Sequence, residues 1–428
     1  MSVSISRSVA VKTLVSIFKD KAYSNIAVSS AFSNTEMSDR DKALASALIY
    51  GVLDRKITID YVISSYVKTP ISRIKPITIN AIRIAVYQIM FMDKIPASAA
   101  VNESVNIVKT SKEKYNSSFT NGVLRSFLRE PAKIPQGSDI NSLSIKYSCS
   151  ISLIESFVSD YGKETAVSLL KESLKKPPIT LRVNTLKTDP SCLIKKLENE
   201  GIFSEVGEIE NSLKILSGFD IAESSSYKDG LFHIEDLASQ KLINLIGLKD
   251  NIRVLDICSA PGGKAFTMAE IINNSGEIVA CDLYEHRVNL IENGSKRLGI
   301  KTINAMINDA AVYNENLGLF DVVLCDVPCS GLGVIRRKPE IKYKDITDSE
   351  FKDLVNIQAK ILENASKYVK VGGTLVYSTC TLKKAENKGQ ISAFLDKHSE
   401  FDVKYNGEFM PHIDGTDGFY CAILLKNR

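Results

Sequence analysis

Two cysteines of this chain stand where β-type runs give way to loops. Cys329 lies in Leu324-Cys325-Asp326-Val327-Pro328-Cys329-Ser330-Gly331, and Cys380 in Tyr377-Ser378-Thr379-Cys380-Thr381. An ionised thiol is a nucleophile that splits one hard group transfer into two easier steps through a covalent intermediate. A single cysteine is more often a small buried hydrophobe, and Cys149, Cys192, Cys281 and Cys421 are read that way. Two on loops at one rim are harder to explain as packing. Both are candidate catalytic residues, and position alone does not rank them.

A second run with chemical character is Val254-Leu255-Asp256-Ile257-Cys258-Ser259-Ala260-Pro261-Gly262-Gly263-Lys264, which leaves a β-type segment and enters a helical one. The glycine pair lets backbone approach a ligand beyond a strand end. The run matches neither G-x-G-x-x-G nor G-x-x-x-x-G-K-[ST], so a nicotinamide or a nucleoside triphosphate is not the first expectation. Four acids, Asp256, Asp282, Asp309 and Asp326, each close one β-type run. Asp282 is placed either to accept hydrogen bonds from a ribose or to cap the helix that starts near Glu285. Such a rim suits a cationic ligand built on adenosine, which S-adenosylmethionine is. With no C-x-x-C pair and only four histidines, no metal site is expected.

The elements that must position these loops follow from periodicity. Apolar residues at helical spacing (Val11, Leu14, Val15, Phe18; Ile59, Val62, Ile63, Tyr66; Ile82, Ala85, Val86, Ile89) make residues 1–130 an all-α domain. Residues 131–142, with Pro131, Pro135 and Gly137, read as a linker. Residues 143–242 mix helical stretches with short β-type runs such as Ile179–Val183, a small α+β module. Residues 243–428 alternate strand and helix, with strands expected at Arg253–Ile257, Glu277–Cys281, Ile303–Ile307, Asp321–Cys325 and Thr374–Tyr377. That is the pattern of a doubly wound, Rossmann-like α/β sheet. Its fourth and fifth strands should be neighbours, so Cys329 and Cys380 should face one cleft.

Charge divides along the same lines. Residues 1–140 hold 19 Lys+Arg against 11 Asp+Glu, a net of +8, while residues 141–428 hold 35 against 39, a net of −4. The basic third suits an anionic partner such as nucleic acid, or simply a solvated lysine surface. No run is long and apolar enough for a membrane helix, and a soluble cytoplasmic protein is expected.

The D-x-C-x-A-P-G-G-K loop, the D-x-P-C-S-G loop and the S-T-C-T strand end followed by Glu386-Asn387 resemble those of the RNA cytosine-5 methyltransferases. The likeness extends through Arg336-Arg337-Lys338-Pro339-Glu340-Ile341 and Asp417-Gly418-Phe419. The small module, with Leu181–Thr185 and Gly230–Gln240, resembles that family's RRM-like module, and the helical third resembles a NusB-type RNA-binding domain. The resemblance implies Cys380 as nucleophile toward C6 of cytosine, Cys329 in resolving the adduct, and Asp326 on the base's N3/N4 edge. Cys258, Ser259, Ala260, Pro261, Gly262, Gly263 and Lys264, with Asp282, Asp309 and Asp326, would line the S-adenosylmethionine site. Arg336, Arg337 and Lys338 would hold RNA phosphates at the rim. The domain order is similar to the branch acting on cytosine 967 of 16S rRNA in the small ribosomal subunit. Val327 stands where alanine is usual, Asn308-Asp309-Ala310 where G-D-[AG] is common, and Glu235 where glutamine is more frequent. The competing readings are a cytosine-5 methyltransferase of another rRNA site or of tRNA, which would share the core motifs, and a non-catalytic RNA-binding factor, against which the intact cysteine and donor motifs speak.

Overall fold

A computed structural model of the chain describes residues 4–20, 22, 24–217, 221–344 and 346–428. Two compact units emerge, Met1–Lys175 with Ile335–Asp345, and Lys176–Val334 with Ile346–Arg428.

The first unit is helical: α1 (Ile5–Lys19), α2 (Ser24–Ser33), α3 (Asp39–Asp54), α4 (Lys56–Ser64), α5 (Pro76–Phe91), α6 (Ala97–Lys109), α7 (Ser117–Arg129), α8 (Ile140–Tyr147) and α9 (Ile151–Glu172). The apolar stripes read from sequence meet in one core that includes Val11, Leu14, Ile59, Val62, Ile82 and Val86. Pro76 opens α5, where its missing N–H costs nothing, and Glu113 accepts from the next two N–H groups, those of Ile77 and Thr78. Helices α8 and α9, which the sequence reading assigns to the small module, belong to this unit: Ile57 N–H donates to Ser148 Oγ and Thr58 Oγ1 to the Ile145 carbonyl.

The segment from Ile335 also belongs here. Lys342 is fully buried and ion-paired to Asp54, and Tyr343 packs beside Phe18. Arg336, expected to hold RNA phosphate, has a side chain only 3% exposed and paired with Glu172 at 3.2 Å. A guanidinium so placed is a structural cation, whereas Lys338 is exposed.

In the second unit, β1 (Thr180–Val183), β2 (Phe203–Val206), β3 (Ser212–Ser217) and β4 (Phe232–Ile234) form an antiparallel sheet in the order β2-β3-β1-β4, accompanied by α10 (Pro190–Asn199) and α11 (Ser225–Lys228). Cys192 on α10, expected to be buried, is exposed; Cys149, Cys281 and Cys421 are buried.

The large sheet holds β5 (Arg253–Asp256), β6 (Glu277–Asp282), β7 (Ile303–Ile307), β8 (Phe320–Asp326), β9 (Val369–Thr379), β10 (Phe401–Phe409) and β11 (Phe419–Lys426) in the order β10-β11-β9-β8-β5-β6-β7. Strands β5 to β9 are parallel, and β11 joins β9 antiparallel. The sequence reading stops at β9, and the β10–β11 hairpin is an addition. Side chains alternate between two cores, as the period of a strand requires. Val254, Ile278, Val322 and Val376 face α12 (Leu237–Ile246), α13 (Gly263–Ile271) and α14 (Glu285–Leu298); Leu255, Val279, Val323 and Leu375 face α15 (Asp348–Lys367) and α16 (Lys388–Leu395). A short α17 (Pro411–Asp414) links the last two strands. Strand order reverses at β5, and in such sheets ligands bind beyond the carboxyl ends at that point.

Lys342→Met is expected to destabilise the helical unit by about 2 kcal/mol, because it removes the buried partner of Asp54 and leaves it only Arg55 at 3.5 Å. The check is a lower urea midpoint at unchanged m-value.

Candidate active site

The loop after β5 is held by its own backbone and by β6. Ser259 N–H donates to the Cys281 carbonyl at 2.7 Å and Gly262 N–H to the Ser259 carbonyl at 2.8 Å, around a cis Ala260–Pro261 bond. Gly262 sits at φ +108°, and a Cβ there would lie 2.5 Å from the Phe266 ring, so only glycine fits. Helix α13 then starts without a side-chain cap, leaving its first N–H groups and the positive end of its dipole for a ligand.

The four strand-end acids are not equivalent. Asp282 accepts from Ala260 N–H at 3.3 Å and lies 3.4 Å from Arg287, so it braces the donor loop from β6. Asp309 is exposed at the rim of a cleft of about 620 Å³ that Leu283, Ile307, Asn308 and Val312 also line. Asp256 departs from the expected rim: it is buried at 1% exposure, and burial, reinforced by Asp326 and opposed by Ser259, pushes its carboxyl up to about 7. It is a half-neutral group beneath the loop and not an open carboxylate. Apolar faces beside Asp309, the carboxylates and an uncapped helix start together fit adenosine carrying an amino-acid tail. Leu283 and Ile307 were missed from sequence, although each is an apolar residue next to a strand-end polar one.

Beyond β8 and β9 the two candidate sulfurs meet. Parallel register pairs Asp326 with Ser378, and Cys329 Sγ lies 3.2 Å from Cys380 Sγ. Hydrogen bonding to Cys380, then burial, then the charges of Glu386 and Asp326 hold the Cys329 thiol well above its ordinary range. Burial also raises Cys258, with Cys325 adding to it, and Cys325 itself. The loops are clamped by Glu386, fully buried, which accepts from Ser330 N–H at 2.8 Å, from the Ser330 hydroxyl and from Gln358 Nε2 at 2.9 Å. Asn387 adds a bond to Thr379 and one to the Thr381 carbonyl. Glu386 and Asn387 were noted in sequence only as part of a motif; the clamp is a tertiary arrangement.

Asp326 accepts from Ser378 Oγ at 2.8 Å through one oxygen and from Lys264 Nζ at 2.7 Å through the other. Lys264 thus ties the donor loop to the cysteine loop. Val327, which stands where alanine is usual, is buried in the core with Ile257 and Ala310. Among the described residues no cluster of His, Cys, Asp or Glu is arranged to hold a metal ion.

A seven-stranded sheet with this order, a glycine-rich loop at its switch point and carboxylates along its rim defines an S-adenosylmethionine-dependent methyltransferase. The family described as 16S rRNA methyltransferase RsmB/F matches residues 243–425, the NusB family matches residues 4–129, and the ferredoxin-like domain of RsmF/B-like methyltransferases matches residues 152–222. A probable ribosomal RNA small subunit methyltransferase B of Bacillus subtilis is 36% identical over 98% of both chains, and one of Synechocystis is 30% identical over 98% of this chain and 99% of that one. Among solved structures, that of PH0851 aligns over the whole of both chains at 26% identity with a TM-score of 0.84. A methyltransferase homologue from Pyrococcus horikoshii aligns over 67% of this chain and 98% of its own at 25% identity and a TM-score of 0.60. The chain belongs to the ribosomal RNA small subunit methyltransferase B family.

Two outcomes test this geometry. A Cβ at position 333 would lie 1.8 Å from the Gly418 carbonyl oxygen and 2.8 Å from that of Cys380. Gly333→Ala is therefore expected to shift the Cys380 loop and cut kcat roughly 100-fold, measured as methyl transfer to RNA. The Asp256 carboxyl, raised on folding from 3.8 to about 7, binds its proton more tightly in the native state. Its contribution to stability is present at low pH and is lost as pH rises from about 4 through 7. Asp256→Asn should remove that part of the slope in urea midpoints measured across this range.

Proposed function

We propose that this chain methylates C5 of a cytosine in small-subunit ribosomal RNA, at the position corresponding to cytosine 967 of 16S rRNA, through a covalent adduct between Cys380 and C6 of the base. The observation that carries the reading is the pair of sulfurs 3.2 Å apart beside Asp326. Ribosomal RNA as substrate goes with work in the cytoplasm.

C5 of cytosine is a poor nucleophile. Addition of the Cys380 thiolate forms the S–C6 bond and moves the C5=C6 electron pair into the ring, making C5 enamine-like. The choice of Cys380 as nucleophile rests on the resemblance of its S-T-C-T strand end to the family's; the Cys329 thiol, hydrogen-bonded to Cys380 and buried, is held well above its ordinary range. Negative charge builds on the N3/N4 edge during addition, where Asp326 is the acid or hydrogen-bonding group. Its oxygens hold one partner each and retain lone pairs for the base. When bound at the donor loop, S-adenosylmethionine supplies the electrophilic methyl group to C5. A base takes the C5 proton, which re-forms C5=C6, breaks S–C6 and returns the Cys380 thiolate; the resemblance implicates Cys329, the sulfur beside it, in this release. The loops lie inside a folded cleft, so the target base has to leave its stack to reach them.

Cys380→Ala is expected to abolish methyl transfer while retaining donor binding by calorimetry. Cys329→Ala is expected to accumulate a protein–RNA adduct that survives denaturing electrophoresis. Full turnover by the Cys380 variant would overturn the assignment, and bisulfite mapping of rRNA from cells with and without the protein locates the modified base.

A further inference from the structure

Under the donor loop lies a set of buried charges that the proposed reaction does not use. His233 on β4 is 5% exposed, Glu235 just beyond it 4%, Glu270 on α13 0% and Arg182 on β1 3%. Antiparallel pairing sets Arg182 directly across from His233, and Arg182 Nε reaches Glu270 Oε2 at 3.3 Å. The imidazole presents both nitrogens to α13: Nε2 lies 3.2 Å from Thr267 Oγ1, and Nδ1 lies 3.5 Å from Glu270 Oε1.

Who donates to whom fixes the protons. Thr267 gives its hydroxyl hydrogen to Glu235 Oε2 at 2.6 Å, so toward His233 its oxygen can only accept, and Nε2 carries a hydrogen. Nδ1 and Glu270 Oε1 have no other partner among the described residues. Two bare lone pairs facing each other in a dry interior repel, whereas an N–H directed at the carboxylate satisfies both. Both nitrogens are then protonated and the ring is an imidazolium. The charges also balance, with Arg182, His233 and Lys264 set against Glu270, Glu235 and Asp326. From α13 the Phe266 ring meets the imidazole at a near-perpendicular angle, and from α14 Arg297 donates to the carbonyl of the preceding residue, Phe232.

Glu235 connects this cluster to the reaction. Among the described residues its Oε1 has no hydrogen-bond partner, and it lies 3.4 Å from where a Cβ on Gly263 would stand, directly against the donor loop. We propose that His233, held as an imidazolium, is a positioning residue for methyl transfer: through Glu235 and Glu270 it fixes α13, and with it the donor loop and the Lys264–Asp326 pair at that helix's first turn. His233 itself touches neither donor nor base. The carboxylate at position 235 requires the ring's charge; an amide there would not. The inference rests on the methyltransferase class and is independent of which base is modified.

The test is histidine-labelled NMR on the full chain without donor, together with calorimetry using S-adenosylmethionine. The chain has four histidines, so His233→Gln assigns the resonance. The His233 ring is expected to remain charged at neutral pH and to titrate near 9, up from 6.5, because the two carboxylates outweigh its burial. The stability it confers is thus full below about 6.5 and lost as pH rises through 9. Glu235→Gln, close in shape, should lower that titration by about a pH unit or more, and His233→Gln should weaken donor binding about tenfold and flatten its alkaline limb. A ring that is neutral at pH 7.5, or a titration unmoved by Glu235→Gln, overturns the proposal even if His233→Gln does not fold. Wild-type donor affinity in a folded His233→Gln protein overturns it as well. A native chain that binds no donor would instead overturn the class, leaving the ring's titration readable on its own.

Discussion

A fully buried carboxylate, that of Glu386, is the interaction on which the candidate site depends. Burying such a group is costly unless its oxygens are filled, and here an N–H, a hydroxyl and an amide fill them. Two of those donors belong to Ser330, the residue after Cys329, and the third to Gln358 on α15. The Glu386 carbonyl in turn accepts from the Tyr377 hydroxyl at the end of β9. Parallel pairing of β8 with β9 brings the two strand ends to neighbouring positions. The clamp then determines how the loops beyond those ends face each other, and hence that two sulfurs sit in contact. Preorganisation of this kind needs a supporting shell whose own hydrogen bonds are complete.

The donor side is built on the opposite logic. There the backbone is left unsatisfied on purpose: α13 begins without a cap, and its glycine start can accept no side chain against Phe266. Open N–H groups and a helix dipole would suit an anion such as the carboxylate of an amino-acid tail, and Asp309 with the apolar residues near it would suit a nucleoside. Lys264 links the two halves, because one residue of the donor loop spends its charge on the acid of the cysteine loop. A displacement of α13 would therefore disturb donor and base sites together.

Much of this was legible in the sequence because it is local. Strands β5 to β9 are short β-branched runs between amphipathic helices, and the chemistry sits on the loops that follow them. The hairpin of β10 and β11 escaped because Phe419–Leu424 is a continuous apolar run, which looks alike whether it is a buried strand or a helix. Side-chain direction was the other limit. Asp256 and Asp309 read as equivalent strand-end acids, yet one points beneath the loop and the other to solvent. Arg336 and Lys338 read as one basic cluster, yet the first of them is buried against Glu172, a partner 164 residues away in sequence. Glu386 was visible as a motif residue, but Gln358 and Ser330, which fill its carboxylate, are 28 and 56 residues distant and no local pattern announces them.

An enzyme that carries a cationic donor to a polyanionic substrate meets opposing electrostatic demands. A surface positive enough to attract RNA throughout would repel the donor, and a rim acidic enough for the donor would repel phosphates. The chain separates the two by sequence: residues 1–140 carry a net +8 and residues 141–428 a net −4. Within the catalytic part the acids are then moderated one by one. Asp326 is paired with Lys264, Asp282 is braced by Arg287, and Asp256 is half protonated near neutral pH. Of the four, what remains open is Asp309 at the cleft, so the negative charge they offer to solvent lies beyond β7, away from the sulfur pair beyond β8 and β9.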